Sequence, residues 1–76
     1  MLQSLYVGQC LALVDDNEDL HAICITSITN THSGRKATFR TSDGGTDWGW
    51  ISRDFRTGAE CVWDMRNPDM PLCYSL

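Results

Sequence analysis

Four sets of residues in this chain could carry chemistry: four cysteines, two histidines, an acidic run and three tryptophans. His21-x-x-Cys24 together with Cys61 offers nitrogen and sulfur donors. Structural zinc sites, however, bring their ligands in close pairs such as C-x2-C twice. No such pair occurs, and on a strand His21 and Cys24 fall on opposite faces. Asp15-x-Asn17-x-Asp19 matches the opening of a calcium loop, which then needs Gly at its sixth position and a bidentate Glu at its twelfth. Leu20 and Thr26 stand there instead. A cysteine nucleophile with His21 or His32 as its base would need an activated thiol, and no helix N-terminus or basic cluster marks one. Asp43, Asp47, Asp54, Glu60 and Asp64 are too numerous to single out an acid/base pair. Asp43-Gly44-Gly45 lacks the lysine and the following helix of a phosphate loop. No catalytic residue, metal or cofactor is therefore expected, and the chain is read as a non-enzyme.

What remains is a binding chemistry. The net charge is −4, and the six basic residues (Arg35, Lys36, Arg40, Arg53, Arg56 and Arg66) are interleaved with acids. Phosphate-driven nucleic-acid binding usually shows a basic excess. An acidic domain instead suits a protein partner with a basic surface. Asp15, Asp16, Glu18 and Asp19 form a turn too charged to bury, and are the candidate contacts for that surface. Trp48 and Trp50 lie two apart and so share one face of a strand. Either they plug one end of the fold, or they stand outside it as an aromatic anchor of the kind enriched in binding hot spots, with Asp47 and Arg53 as its polar rim. A second use of the same residues is stacking single-stranded bases on Trp48 and Trp50 beside a stripe of Arg35, Lys36, Arg40 and Arg53.

The elements that must position these residues are strands. Gln9–Val14 is a short apolar run, and Leu20–Thr29 is rich in Ile and Thr, which suit pleated structure. In the latter, Leu20, Ala22, Cys24 and Ile28 count to one face and Ile23 and Ile25 to the other. Lys36–Thr41 alternates cleanly, with Ala37 and Phe39 inward. Turns are expected at Asn30–Gly34, at Ser42–Gly45, and at Ser52–Gly58 as a tight or short helical turn. Thr46–Ser52 and Ala59–Met65 complete five strands, with Cys61, Trp63 and Met65 on one side of the last. The expected fold is all-β: a small five-stranded SH3-like barrel over residues 1–66, with a Pro-containing irregular tail, residues 67–76, packed on or near it. Met70, Leu72, Tyr74 and Leu76 of that tail cap the barrel or meet another copy, so a monomer or a homodimer is expected.

The first seven residues have neither a positive n-region nor an apolar h-region, and no apolar run is long enough to cross a membrane. A cytoplasmic location follows, and with it buried free thiols for Cys10, Cys24, Cys61 and Cys73. Two disulfides, in any of three connectivities, are the alternative.

The order of features over residues 7–56 resembles a Tudor-type SH3-like domain. Val7-Gly8-Gln9-Cys10-Leu11-Ala12 looks like the Gly-led first strand, Asp15–Asp19 like the acidic turn, and Phe39–Gly45 like the Phe strand running into its turn. The resemblance implies a barrel scaffold. It does not imply methyl-mark reading, because the aromatic-cage positions fall on Leu20 and Gly44 and only Phe39 is aromatic. In size and charge the chain is similar to small inhibitors and adaptors of bacteria and their phages, anti-restriction and anti-CRISPR proteins among them. That analogy implies a steric mechanism.

Overall fold

The computed structural model describes residues 4–14, 17–64, 71, 72, 74 and 75. Six strands follow one another: β1 (Cys10–Val14), β2 (Leu20–Thr31), β3 (Gly34–Thr41), β4 (Thr46–Arg53), β5 (Glu60–Asp64) and β6 (Tyr74–Ser75). They form one antiparallel sheet in the order β5-β4-β3-β2-β1-β6. The fold is all-β as expected, with β1–β5 a meander curled into a half-barrel, and no described residue is helical.

One face of the curl carries the core: Leu11, Ile23, Ile25, Ala37, Phe39, Ile51 and Val62, joined by Leu5 and Leu72. Phe39, Leu11, Ile25 and Val62 are its largest fully buried side chains. The period-two pattern accounts for most of this, because alternate residues of β3 and β4 bury in the same sequence of classes. In β2 it fails at one place. The register against β3 slips between Ile25 and Ser27, so Ile28 comes opposite Ala37 and packs on the core. It does not share a face with Leu20, Ala22 and Cys24. A β-bulge adds one unpaired residue, and one residue is enough to exchange the faces of everything beyond it.

The turns are local chemistry. Ser42–Gly45 closes as anticipated: Gly44 takes φ +88°, its N–H donates to the Thr41 carbonyl, and the Asp43 carboxylate accepts the Gly45 N–H at 3.0 Å. The β2–β3 turn is tighter than expected, with only His32 and Ser33 between paired Thr31 and Gly34. After β4, the Asp54 carboxylate accepts the Arg56 N–H at 2.8 Å, and the Gly58 N–H returns to the Asp54 carbonyl at 2.7 Å.

The tail, expected to be irregular, takes part in the sheet. Leu72 exchanges two backbone hydrogen bonds with Val62 of β5, at 2.9 and 3.0 Å, and Tyr74 and Ser75 pair with Ala12 and Leu11 of β1. One short segment thereby covers parts of both edges of the meander, whose bare N–H and C=O groups would otherwise invite pairing with another chain.

The cysteines correct the thiol expectation. Cys10 and Cys24 are joined by a disulfide, and Cys61 is disulfide-bonded as well. The register explains the first bond. The Ile25 N–H donates to the Gln9 carbonyl at 2.8 Å, which makes Cys10 and Cys24 a non-hydrogen-bonded pair. Such pairs bring opposite residues of two strands closest together, and here the Cα atoms are 4.0 Å apart. Compartment arguments from the N-terminus carry no information about this proximity.

Gly49, between the two tryptophans of β4, lets β5 approach. A Cβ there would lie 2.4 Å from the Trp63 carbonyl oxygen and 3.0 Å from a Val62 methyl. The obstacle is backbone and cannot rotate away. Gly49→Ala should therefore cost about 2 kcal/mol or more, in the range of overpacked cores, seen as a lower urea midpoint. Reducing the Cys10–Cys24 bond, whose sequence separation is 14, should cost roughly 3 kcal/mol on loop-closure grounds. Urea melts of Cys10→Ala/Cys24→Ala beside the wild type measure it.

Candidate functional site

The register of β3 with β4 sets Thr38 opposite Trp48 and Lys36 opposite Trp50, and that of β4 with β5 sets Trp50 opposite Trp63. Ala37, Gly49, Ile51 and Val62 point into the core, so Lys36, Thr38, Trp48, Trp50 and Trp63 form the outward face. All five are half-buried. Of the two alternatives for the tryptophan pair, the structure places it outside the core; Phe39 occupies the inside. The indoles of Trp48 and Trp50 meet edge to face, with centroids 5.2 Å apart and planes at 88°. The Lys36 ammonium sits 4.6 Å from the centre of the Trp48 ring. A cation on an indole face at such a site is worth about 0.5–1 kcal/mol, so this is a cation-accepting aromatic surface already holding a cation of its own. Trp63 keeps its indole nitrogen buried with no hydrogen-bond partner among the described residues.

The expected rim does not surround this pair. Asp47 lies opposite Phe39 and Arg53 opposite Glu60, so both take the parity of the core face at the two ends of β4. The Asp47 carboxylate accepts the Trp48 backbone N–H at 2.8 Å. It therefore touches the tryptophan's main chain, away from the ring.

A meander places alternate turns at opposite ends of the sheet, and that rule sorts the charges. The β1–β2 and β3–β4 turns share one end, and Glu18, Asp19 and Asp43 are exposed there, with Asp47 at the adjoining start of β4. Asp15 and Asp16 lie outside the described residues. The β2–β3 and β4–β5 turns share the other end, which carries Arg35, Lys36, Arg53 and Arg56 with Asp54 and Glu60. From the sequence, Asp43 reads as a turn residue and one of many scattered carboxylates; the order of turns in a meander is the signal that places it at the same end as Glu18 and Asp19.

At the basic end Glu60 is a buried carboxylate. It takes the Arg35 guanidinium at 2.5 Å and the Leu5 backbone N–H at 2.9 Å, with Arg53 at 4.0 Å. Arg53 also donates to the Gly58 carbonyl at 2.5 Å. The stripe of four cations is thus divided: Arg35 and Arg53 face Glu60, and Lys36 and Arg40 have the outward parity.

The same end shows a residue that sequence reasoning passed over. Phe55 is 95% exposed at the tip of the Asp54–Gly58 turn, beside a cleft of about 250 Å³ lined by Arg53, Asp54, Arg56, Trp63 and Pro71. A lone Phe in a charged turn gives no period to read, so only the structure reveals it.

Phe39 is fully buried, which removes the last aromatic of a methyl-mark cage. Cys24 is bonded to Cys10 and so is no free zinc ligand. Among the described residues no three His, Cys, Asp or Glu side chains are grouped to hold a metal ion. No described helix is long and apolar enough to cross a membrane. No protein-family model matches the chain, and no curated protein or solved structure is significantly similar to it.

The Glu60 cluster should be structural. Glu60→Ala leaves the Arg35 guanidinium and the Leu5 N–H without this acceptor and takes an opposite charge away from Arg53. Because both arginines still reach solvent, the cost should be about 2 kcal/mol, below that of a fully buried pair. Urea unfolding measures it, and Arg56→Ala, at an exposed side chain, is the control expected to stay within roughly 0.5 kcal/mol.

Proposed function

We propose that this protein is a binding module that acts sterically, by seating its acidic end on a basic surface of a protein partner. The observation that carries this is the gathering of Glu18, Asp19 and Asp43 on one end of the sheet by two turns far apart in sequence, with Arg40 as the one described Lys or Arg there and Arg35, Lys36, Arg53 and Arg56 toward the other end. On a chain of net charge −4, acids grouped at one end make a steering field that scattered acids would not. Trp48 and Trp50, half-exposed on the adjoining face, supply the apolar anchor that charge alone lacks.

The scaffold we assign is a small SH3-like barrel of Tudor type. It is supported at the level of a curled five-stranded antiparallel meander. Size and charge support a place among small inhibitors or adaptors, such as the anti-restriction and anti-CRISPR proteins of phages. A cytoplasmic site of action belongs to this reading; the Cys10–Cys24 bond weighs against it, because disulfides persist mainly in oxidising compartments.

Single-stranded nucleic acid is the second reading. It is favoured by Lys36 and Arg40 sharing the outward face with Trp48 and Trp50, and weakened by the commitment of Arg35 and Arg53 to Glu60.

The test is affinity capture from a lysate of the protein's host, with and without nuclease, followed by binding kinetics of the captured protein across a salt series. A stoichiometric protein that survives nuclease is expected. Glu18→Gln/Asp19→Asn/Asp43→Asn should bind it roughly tenfold more slowly at low salt and with a flatter salt dependence. Association unchanged by those three substitutions would refute the acidic-end mechanism. Capture lost with nuclease would transfer the function to the Trp48/Trp50 face.

A further inference from the structure

The structure carries a knob at one end and a hole at the other, and we infer that they join copies of this chain head to tail. The knob is Phe55. Its turn is held by the Asp54 carboxylate on the Arg56 N–H, the Gly58 N–H on the Asp54 carbonyl, the Asp54 N–H on the Ala59 carbonyl and the Arg53 guanidinium on Gly58. The ring is 95% exposed, and a turn so constrained needs little further backbone ordering when the ring is covered. Arg53 and Arg56 flank it, and the Arg56 side chain is 77% exposed.

The hole lies at the opposite end of the sheet, between the start of β2 and the end of β3. It is lined by Ala22, Ile23, Cys24, Arg40, Thr41 and Ser42, with a volume of about 130 Å³ and a mostly apolar lining. It is open to the surface, so a phenyl ring would lie against Ala22 and Ile23 with one side covered. Asp19, at the foot of β2, and Asp43, next to Ser42, border it in the chain, with exposed Glu18 in the same turn as Asp19. Arg40 is a cation in the lining. Seating Phe55 of one copy here brings Arg53 and Arg56 toward the acids of the next. The second copy is favoured over an unrelated acidic partner because this chain carries both an apolar hollow and, on the turns beside it, Glu18, Asp19 and Asp43 against the single cation Arg40. Knob and hole lie at opposite ends, so the contact is heterologous, and it extends into chains unless the rotation closes a ring.

Sedimentation velocity of the whole protein, over a concentration series into the millimolar range and at two salt concentrations, tests this. Wild-type protein should form species beyond a dimer, weakened by salt. Phe55→Ser, which removes the knob, and Ala22→Leu, which fills the hole, should each reduce the association constant at least tenfold, a factor worth about 1.4 kcal/mol. Both positions lie outside the core, so melting curves should match the wild type; if Ala22→Leu does not fold, Thr41→Ile fills the same hole. Equimolar Phe55→Ser and Ala22→Leu should restore a dimer and nothing larger, because one supplies the hole and the other the knob. A wild type that stays monomeric throughout overturns the inference, as does association untouched by Phe55→Ser. Phe55 is no part of the acidic end, so its loss leaves capture of a basic partner intact, and the two proposals can fail separately.

Discussion

The register of β3 against β4 pairs Ala37 with Gly49 and Thr38 with Trp48, and most of the molecule depends on that alignment. The side-chain period of a strand is two, so a slip of β4 by one residue would send both indoles toward the core beside Phe39 and would put Ile51 into solvent. Two features hold the register. The Asp43–Gly44–Gly45 chemistry fixes where β3 ends and β4 begins. On the other side, Gly49 gives β5 room at a distance that no side-chain-bearing residue permits. The tryptophans are therefore outward for a backbone reason, and their availability to a partner is a by-product of how tightly β4 and β5 meet.

The strand ends are secured by different means. At the basic end a buried carboxylate gathers two arginines and the N-terminal segment, which joins residues 55 positions apart in the chain. At the opposite end the turns close the strands, and Glu18, Asp19 and Asp43 on them are exposed. Buried ion pairs add little net stability once desolvation is counted. The value of Glu60 lies in fixing where Leu5 sits, and so in bringing a core residue of the N-terminal segment against the sheet.

Much of this was legible in the residues. Alternation in Lys36–Thr41 placed Ala37 and Phe39 inward correctly, the spacing of Trp48 and Trp50 gave their common face, and Asp-Gly-Gly located the β3–β4 turn. Most of the failures share a cause: they turn on a relation between strands that no single segment contains. The bulge after Ile25 is a mismatch of lengths between β2 and β3, so counting along β2 alone put Ile28 on the wrong face. The Cys10–Cys24 bond needs the β1–β2 register to be known first. The tail looked irregular because a two-residue strand and a single bridge have no period to detect. Asp47 and Arg53 neighbour the tryptophans in sequence, and nearness in sequence along a strand sends odd neighbours to the opposite face.

Charge shows the same dependence on topology. A net charge is a sum, and a sum excludes partners without describing a surface. Here it hid a partial separation: acids on the turns that open β2 and β4, with Arg40 near them, and Arg35, Lys36, Arg53 and Arg56 around the far end, with Asp54 and Glu60 among them. In an up-and-down sheet, a sequence that alternates acidic and basic turns becomes a molecule with two unlike poles. Each pole also has an apolar element, Phe55 at one and the Ala22–Thr41 hollow at the other, with the indole face between them. Charge at a surface sets which partners approach and how fast, and buried apolar contact decides which of them stay. If both poles bind as proposed, a protein of this size engages two neighbours at once, and the meander order of its strands keeps those two contacts at opposite ends of the sheet.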